Sequence, residues 1–254
     1  MRLRLIRHAT LVIEYGGHKL LVDPMLSEVG AQPPIANTAN LRPNPLVPLP
    51  ITVAEILEGV ELVLVTHTHR DHWDMVASDL VPKNLPLFGQ KEDEETFRSQ
   101  GFTDVRPVGE SANWNGIKVT RTEGQHGTGE IGKKMAPVSG FVLQAKGQPS
   151  VYIAGDTIWC PEVEDALQTF EPAVAVVNAG AARFLEGDPI TMNGDDVVHV
   201  CQAAPHTQVV AVHMEAINHC GLGRAELALQ LLAAHVIQQA AIPQDGDWVD
   251  RGSR

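Results

Sequence analysis

Apolar residues fall in short runs along this chain, separated by polar, glycine-containing or proline-rich segments. Thr10–Tyr15 is apolar-rich, Gly16-Gly17 is a turn signal, and Lys19–Val22 returns as a second strand. The first 24 residues therefore read as a β-hairpin ending at Asp23-Pro24. Residues 27–50 (SEVGAQPPIANTANLRPNPLVPLP) break the pattern with six prolines. Proline fixes φ and removes a backbone donor, so this stretch is neither helix nor central strand. A loop of that length inside a compact domain predicts a lid or binding loop rather than an interdomain linker, and residues 1–254 read as one domain.

Beyond the loop, strands and helices alternate. Val53–Leu57 reads as a short helix, Glu61–Thr66 as a buried strand and Lys91–Gln100 as a solvated helix. Asp104–Val108, Gly116–Thr122, Ser139–Lys146 and Ser150–Ala154 read as strands. Ala173–Val177 and Gln208–Val212 are two more, with a helix around Gly194–Ala204 between them. The spacing of Leu227, Leu231 and Leu232 predicts a helix over Arg224–Gln239. Strands in both halves with helices between and after them imply a layered α/β fold with the sheets inside.

Four of the apolar runs end in a residue able to do chemistry. ELVLVT leads into His67, VYIAG into Asp156, AVAVV into Asn178 and VVAV into His213. Rigid strand ends that converge on one edge are where sheet proteins place their sites.

Composition narrows what such a site could handle. Lys and Arg total 19 against 31 Asp and Glu, a net charge of −12, and aromatics make up 5%. That balance argues against a nucleic-acid backbone as partner, and it leaves little for base stacking. No apolar run approaches a membrane span, and the basic start MRLRLIRHATLVIEY carries no small-residue cleavage site. Cys160, Cys201 and Cys220 are odd in number and far apart, so a reducing, cytoplasmic setting is expected.

The 11 histidines are the exception to this ordinary composition. Thr66-His67-Thr68-His69-Arg70-Asp71-His72 packs three imidazoles and a carboxylate directly behind a buried strand. These donors suit Zn²⁺, Mn²⁺ and Fe²⁺, and they exceed what one tetrahedral site needs from a single loop.

The spacing H-x-H-x-D-H after an apolar strand resembles the signature of the metallo-β-lactamase superfamily. Glu123-Gly124-Gln125-His126-Gly127, Gly155-Asp156-Thr157 and Val212-His213-Met214 look like the family's remaining ligand segments, in the family's order. His8-Ala9-Thr10 and Asp23-Pro24 look like the branch that contains L-ascorbate-6-phosphate lactonase. The resemblance implies a four-layer αββα sandwich of the α/β (α+β) class. It implies one metal held by His67, His69 and His126, and a second held by Asp71, His72 and His213. Asp156 would bridge the two, and Asp71, His72 and Asp156 would serve catalysis. The cofactors implied are two divalent ions, zinc first, with manganese or iron as alternatives.

Other residues carry weaker expectations. Asp23 reads as a hydrogen-bond acceptor for a ligand histidine, and His8 as a residue beside the site. Asn178 and Gly180 read as pocket wall. His219 competes with His213 for the last ligand position, but it lies past the strand in a segment expected to be more mobile. Arg183, Lys133, Lys134 and Arg42 are candidates for holding an anionic group.

These readings converge on a metal-dependent hydrolase that acts on a small cytoplasmic ester, lactone or phosphodiester through a dinuclear-metal-activated hydroxide. An iron-dependent oxidoreductase of sulfur chemistry and a non-catalytic metal-binding scaffold on the same fold are the alternatives. The expected partner is a small molecule rather than a nucleic acid or a membrane, and homo-oligomer formation is left open.

Overall fold

The computed structural model describes residues 1–250 and contains two seven-stranded sheets. The first is built from β1 (Arg2–Arg7), β2 (Thr10–Tyr15), β3 (His18–Val22), β4 (Leu62–Val65), β5 (Leu87–Gln90) and β6 (Val105–Val108). The second takes β7 (Ser111–Trp114), β8 (Ile117–Thr122), β9 (Gly140–Ala145), β10 (Val151–Ile153), β11 (Val174–Asn178), β12 (Gln208–Val212) and β13 (Ala240–Ala241) in order. The last strand, β14 (Trp248–Asp250), returns to the first sheet beside β1. The expected N-terminal hairpin is thus two strands of a meander, since β1 pairs antiparallel with β2.

The central strands, such as β4 and β11, read as nearly continuous apolar runs because both of their faces are buried. In β4, Leu62 and Leu64 point to the core between the sheets, while Val63 and Val65 point outward. In β12, Val210 and Val212 face inward, while Val209 and Ala211 face outward. Helices α1 (Val53–Leu57), α2 (Met75–Leu80) and α3 (Glu94–Ser99) cover the outer face of the first sheet through Ile56, Ala77 and Phe97. A short helix, α4 (Gly129–Met135), lies beside the site. Helices α5 (Pro161–Phe170), α6 (Gly194–Ala203) and α7 (Arg224–Ala233) cover the second sheet through Leu167, Val200 and Leu227. The result is the αββα sandwich of the metallo-β-lactamase fold. Among the described residues no helix is long and apolar enough to cross a membrane.

Two expectations need correction. The helix predicted over Arg224–Gln239 stops at Ala233, and His235 adopts a left-handed φ of 59° that ends any helical continuation. Leu232, counted in its apolar stripe, is 57% exposed, whereas Leu227 and Leu231 are buried. Helices α2 and α5 are not among the predicted elements: α2 is a six-residue helix whose N-cap Asp74 accepts a hydrogen bond from the Ala77 N–H, and α5 buries Val163, Ala166 and Leu167 at helical spacing behind Pro161 in its first turn.

Residues 27–50 form no helix and no long strand, as their prolines predict, yet they are tied down along their length. The buried Arg7 guanidinium donates to the carbonyls of Met25, Ser27 and Val47 at 2.9, 2.9 and 3.0 Å. Burial lowers its pKa only to about 10, so it stays a cation. In the middle of the loop, Asn218 Oδ1 accepts from Ile35 N at 2.9 Å and from Asn44 Nδ2 at 2.7 Å. Asn218 Nδ2 donates to Thr38 Oγ1 at 2.7 Å. The loop is a fixed wall against the sheet edge.

Candidate metal centre

Every cluster residue comes from a strand end or the turn that follows it. The β4 strand runs into Thr66 and His67, and the tight turn behind it carries His69, Asp71 and His72, closed by the N–H groups of His72 and Trp73 on the His69 carbonyl. His126 follows β8, Asp156 follows β10 and His213 follows β12. His8 comes from the turn between β1 and β2. These termini meet at one edge of the two sheets.

There they form two groups. His67, His69, His126 and Asp156 offer one donor atom each within 4.8 Å of one another, and so do His8, Asp71, His72 and His213. All are buried except His69, which is intermediate. Asp156 lies between the groups. Its Oδ2 is 3.3 Å from both His126 Nε2 and His72 Nε2, and its Oδ1 is 3.3 Å from His213 Nε2. The seven residues expected as ligands are brought together, and His8 joins them.

The outward-facing nitrogens decide what the inward ones can do. His72 Nδ1 donates to Asp23 Oδ2 at 2.8 Å, and His126 Nδ1 donates to the Ile190 carbonyl at 2.7 Å. His67 Nδ1 lies 3.0 Å from Thr66 Oγ1, whose own hydroxyl donates to Asp23 Oδ2 at 2.7 Å, so the imidazole is the donor to Thr66. His213 Nδ1 faces the Cys220 thiol at 3.7 Å. With the proton on the outward nitrogen, each Nε2 presents a lone pair inward, which is the tautomer a metal ligand requires. His67 Nε2 and His69 Nδ1, at 3.0 Å, are both available to one ion. Buried imidazole lone pairs beside buried carboxylates form a donor set that fits divalent transition ions.

The electrostatics agree at His67 and His213 and differ at His72. Burial holds His67 well below its ordinary pKa, and burial brings His213 down to about 3. Burial opposes the charge on Asp71 and Asp156, but the surrounding imidazoles and their hydrogen bonds outweigh it and hold both carboxyls well below the usual range. At His72 burial is outweighed by Asp156 and Asp23, which raise it.

Asp23 does what its position suggested and more, since its Oδ1 also accepts the Thr66 N–H at 2.7 Å. Asn178 is buried and donates to Asp156 Oδ1 at 2.7 Å, so it orients the carboxylate. Gly180 has a steric role: a Cβ there would lie 2.1 Å from the His213 carbonyl. Gly127, at φ +97°, lets the chain pass Ile190, whose carbonyl holds His126.

A cavity of about 230 Å³ opens over the clusters. It is lined by Ile35, Ala36, Met135 and Phe184 on one side and by His69, Asp71, His126, Asp156 and His219 on the other, with Arg70 at its edge. Arg183 is outside it, exposed, and donates to the Gly187 carbonyl at 3.2 Å, and its neighbour Phe184 takes the wall position. Lys133, Lys134 and Arg42 are exposed and do not line it either. His219 is not in either cluster, but its segment is fixed rather than mobile. Its carbonyl accepts the Arg183 N–H at 3.0 Å, and Cys220 pairs with Ala182 in a β-bridge. The apolar wall and the Asn218 clamp escaped the sequence reading because single residues in irregular loops carry no periodic signal.

Residues 18–214 match the β-lactamase superfamily domain. The Bacillus subtilis protein named UPF0173 protein YddR is 38% identical over 97% of this chain and 98% of its own length. An isothiocyanate hydrolase from Delia radicum gut bacteria has a solved structure that matches with a TM-score of 0.94 at 38% identity, over 100% of both chains. A possible metal-dependent hydrolase from Veillonella parvula matches with a TM-score of 0.95 at 34% identity, over 98% of both chains. Two buried clusters of metal-ligating side chains on this fold, with relatives of this kind spanning the whole chain, make the protein a metal-dependent hydrolase of the UPF0173 group in the β-lactamase superfamily.

Proposed function

We propose that this hydrolase adds water to a small, neutral, largely apolar electrophile, with the isothiocyanate group R–N=C=S as the substrate class. The cavity is the observation that carries this reading. Its wall of Ile35, Ala36, Met135 and Phe184 suits an aliphatic or aromatic R group, and Arg70 is the single fixed cation among its lining residues. The 38% identity to an isothiocyanate hydrolase over the whole chain supports the same class. Lys133, Lys134 and Arg183 do not line the cavity, so beyond Arg70 no side-chain cation is placed there to select a charged substrate group.

In this reading His67, His69 and His126 would hold one ion and Asp71, His72 and His213 the other, with Asp156 lying between the two groups. Two such ions supply Lewis acidity and lower the pKa of a bound water towards neutrality. The chain's own part is placement. Asp23 and Thr66 fix the His72 and His67 rings, Asn178 fixes Asp156, and the loop wall seats R so that the central carbon of N=C=S faces Asp71 and Asp156. Addition of one water to that carbon and cleavage of its bond to nitrogen gives R–NH₂ and COS. The unpaired Cys160, Cys201 and Cys220 support a reducing, cytoplasmic setting.

Reconstituting chelated protein with zinc, manganese or iron in turn, then measuring amine released from allyl and phenethyl isothiocyanate, tests the proposal. Metal-dependent amine release is expected. Failure to release amine, with hydrolysis of a lactone or small ester by the same preparations, would replace the substrate class.

A further inference from the structure

Beside the two clusters, one imidazole remains without a task. His219 is 6% exposed and lines the same cavity as Asp71, Asp156 and Phe184. Among the described residues its Nδ1 is fully buried and has no hydrogen-bond partner. Cluster geometry excludes it as a member: its ring centroid is 6.5 Å from that of His213, and it belongs to neither group of donors. A buried polar group without a partner costs stability. Such a group at a cavity wall points to something that binds there.

The position is also built with care. The preceding Asn218 is buried and clamps the loop that carries Ile35 and Ala36, and its own N–H donates to Asn44 Oδ1 at 2.9 Å. The His219 carbonyl is held by Arg183 N, next to Phe184. The two apolar walls and the imidazole are thus fixed by one set of hydrogen bonds.

We propose that His219 is a substrate-binding catalytic residue whose Nε2–H donates a hydrogen bond to the nitrogen or sulfur of the bound heterocumulene. This deepens the isothiocyanate reading and rests on it for the identity of the substrate. A buried N–H without a partner is rarer than a buried lone pair, so the proton belongs on Nε2, towards the cavity, rather than on Nδ1. Burial holds the ring's pKa at about 4, so near neutral pH it is an uncharged donor. When oxygen adds to the central carbon, the C=N or C=S π pair moves onto the heteroatom. A fixed donor at that atom binds the developing negative charge more strongly than the ground state. No proton leaves His219 in this step.

The test uses chelated protein reloaded with cobalt(II), and thiocyanate as a linear N–C–S probe read by the visible cobalt spectrum. His219→Ala should hold as much cobalt as the parent chain and melt no lower. It should bind thiocyanate about 10-fold more weakly, the scale of one hydrogen bond. Its kcat for isothiocyanate should fall by about 10²-fold, the cost of removing a transition-state donor. His219→Gln, which keeps an N–H, should recover part of both. Loss of cobalt from His219→Ala would make it a ligand, and unchanged probe binding would make it structural; either overturns the proposal. So would a parent chain that binds no thiocyanate. Should the parent bind thiocyanate but release no amine from isothiocyanates, the substrate reading fails, while the probe still decides whether His219 is the donor.

Discussion

The backbone N–H of His213 donates to the carbonyl of His8 at 2.9 Å, and the two rings lie 3.6 Å apart between centroids. Both residues have left-handed backbones, φ +61° at His8 and +68° at His213. For residues other than glycine that conformation is uncommon, and it collects at sites the surrounding structure holds in place. Here it turns the end of β12 and the turn after β1 towards each other. His8 Nε2 then reaches Asp71 Oδ2 at 3.2 Å and anchors the carboxylate from behind.

His8→Asn should therefore weaken the second cluster selectively. Asn tolerates the left-handed φ, so the turn survives, but its short side chain cannot reach Asp71. Metal content should fall from about two ions towards one per chain, and activity should drop by about 10–100-fold, as for other partners of metal ligands. Elemental analysis beside a melting curve checks it. Full metal content and full turnover would leave His8 as a packing residue.

Asp156 touches both clusters, so Asp156→Ala should lose at least one ion and most activity, whereas His213→Ala should lose only the ion of the second cluster. The core between the sheets does not include either residue, so both variants should stay folded. Far-ultraviolet circular dichroism with metal stoichiometry separates these outcomes. An Asp156→Ala chain that retains both ions would remove the bridging role.

The Asn218 clamp predicts a loop effect. Asn218→Ala removes the partner of Ile35 N and of Asn44 Nδ2, and it should destabilise the chain by about 2–6 kcal/mol, as two polar groups lose their partners. Since Ile35 and Ala36 line the cavity, KM should rise more than kcat falls. Calorimetry and steady-state kinetics on one preparation test both. Unchanged KM would mean that residues 27–50 do not contact substrate.

Acid should destabilise the chelated chain. Burial is the largest cause that holds His8 and His219 at about 4 and His213 at about 3, against an unfolded value of 6.5. Below that value the unfolded chain takes up protons that the folded chain refuses, so stability is lost as pH falls from about 6.5 towards 4. Asp71 and Asp156, held low, lose their contribution in the same direction at still lower pH. The raised His72 acts oppositely, its contribution being present below 6.5 and lost as pH rises. With His67 and His69 also lowered by burial, five histidines outnumber it, so the melting temperature should fall between pH 7 and pH 5. His8→Gln with His219→Gln should flatten that fall, and an equally steep fall in the double variant would place its origin elsewhere.

Nine of the fourteen described strands and seven of the eight clustered donors were legible along the chain, because each is a local signal. A doubly buried strand has to be apolar throughout, and a residue that ends such a strand inherits a fixed position, as His67, Asp156 and His213 do. Asp23 was legible for the same reason, although that it serves both Thr66 and His72 depends on β3 pairing with β4. What lies between strands followed other rules. Arg183 and Phe184 are adjacent in an irregular loop, and the hydrogen bond of Arg183 N to His219 helps decide that the arginine faces solvent and the phenylalanine the cavity. His8 lies more than sixty residues from Asp71, and two left-handed turns in different sheets bring them together. The chemistry of the ions was written in side chains at strand ends. The shape and polarity of what they could act on came only from long-range contacts among loops, where no period in the sequence says which residue faces inward.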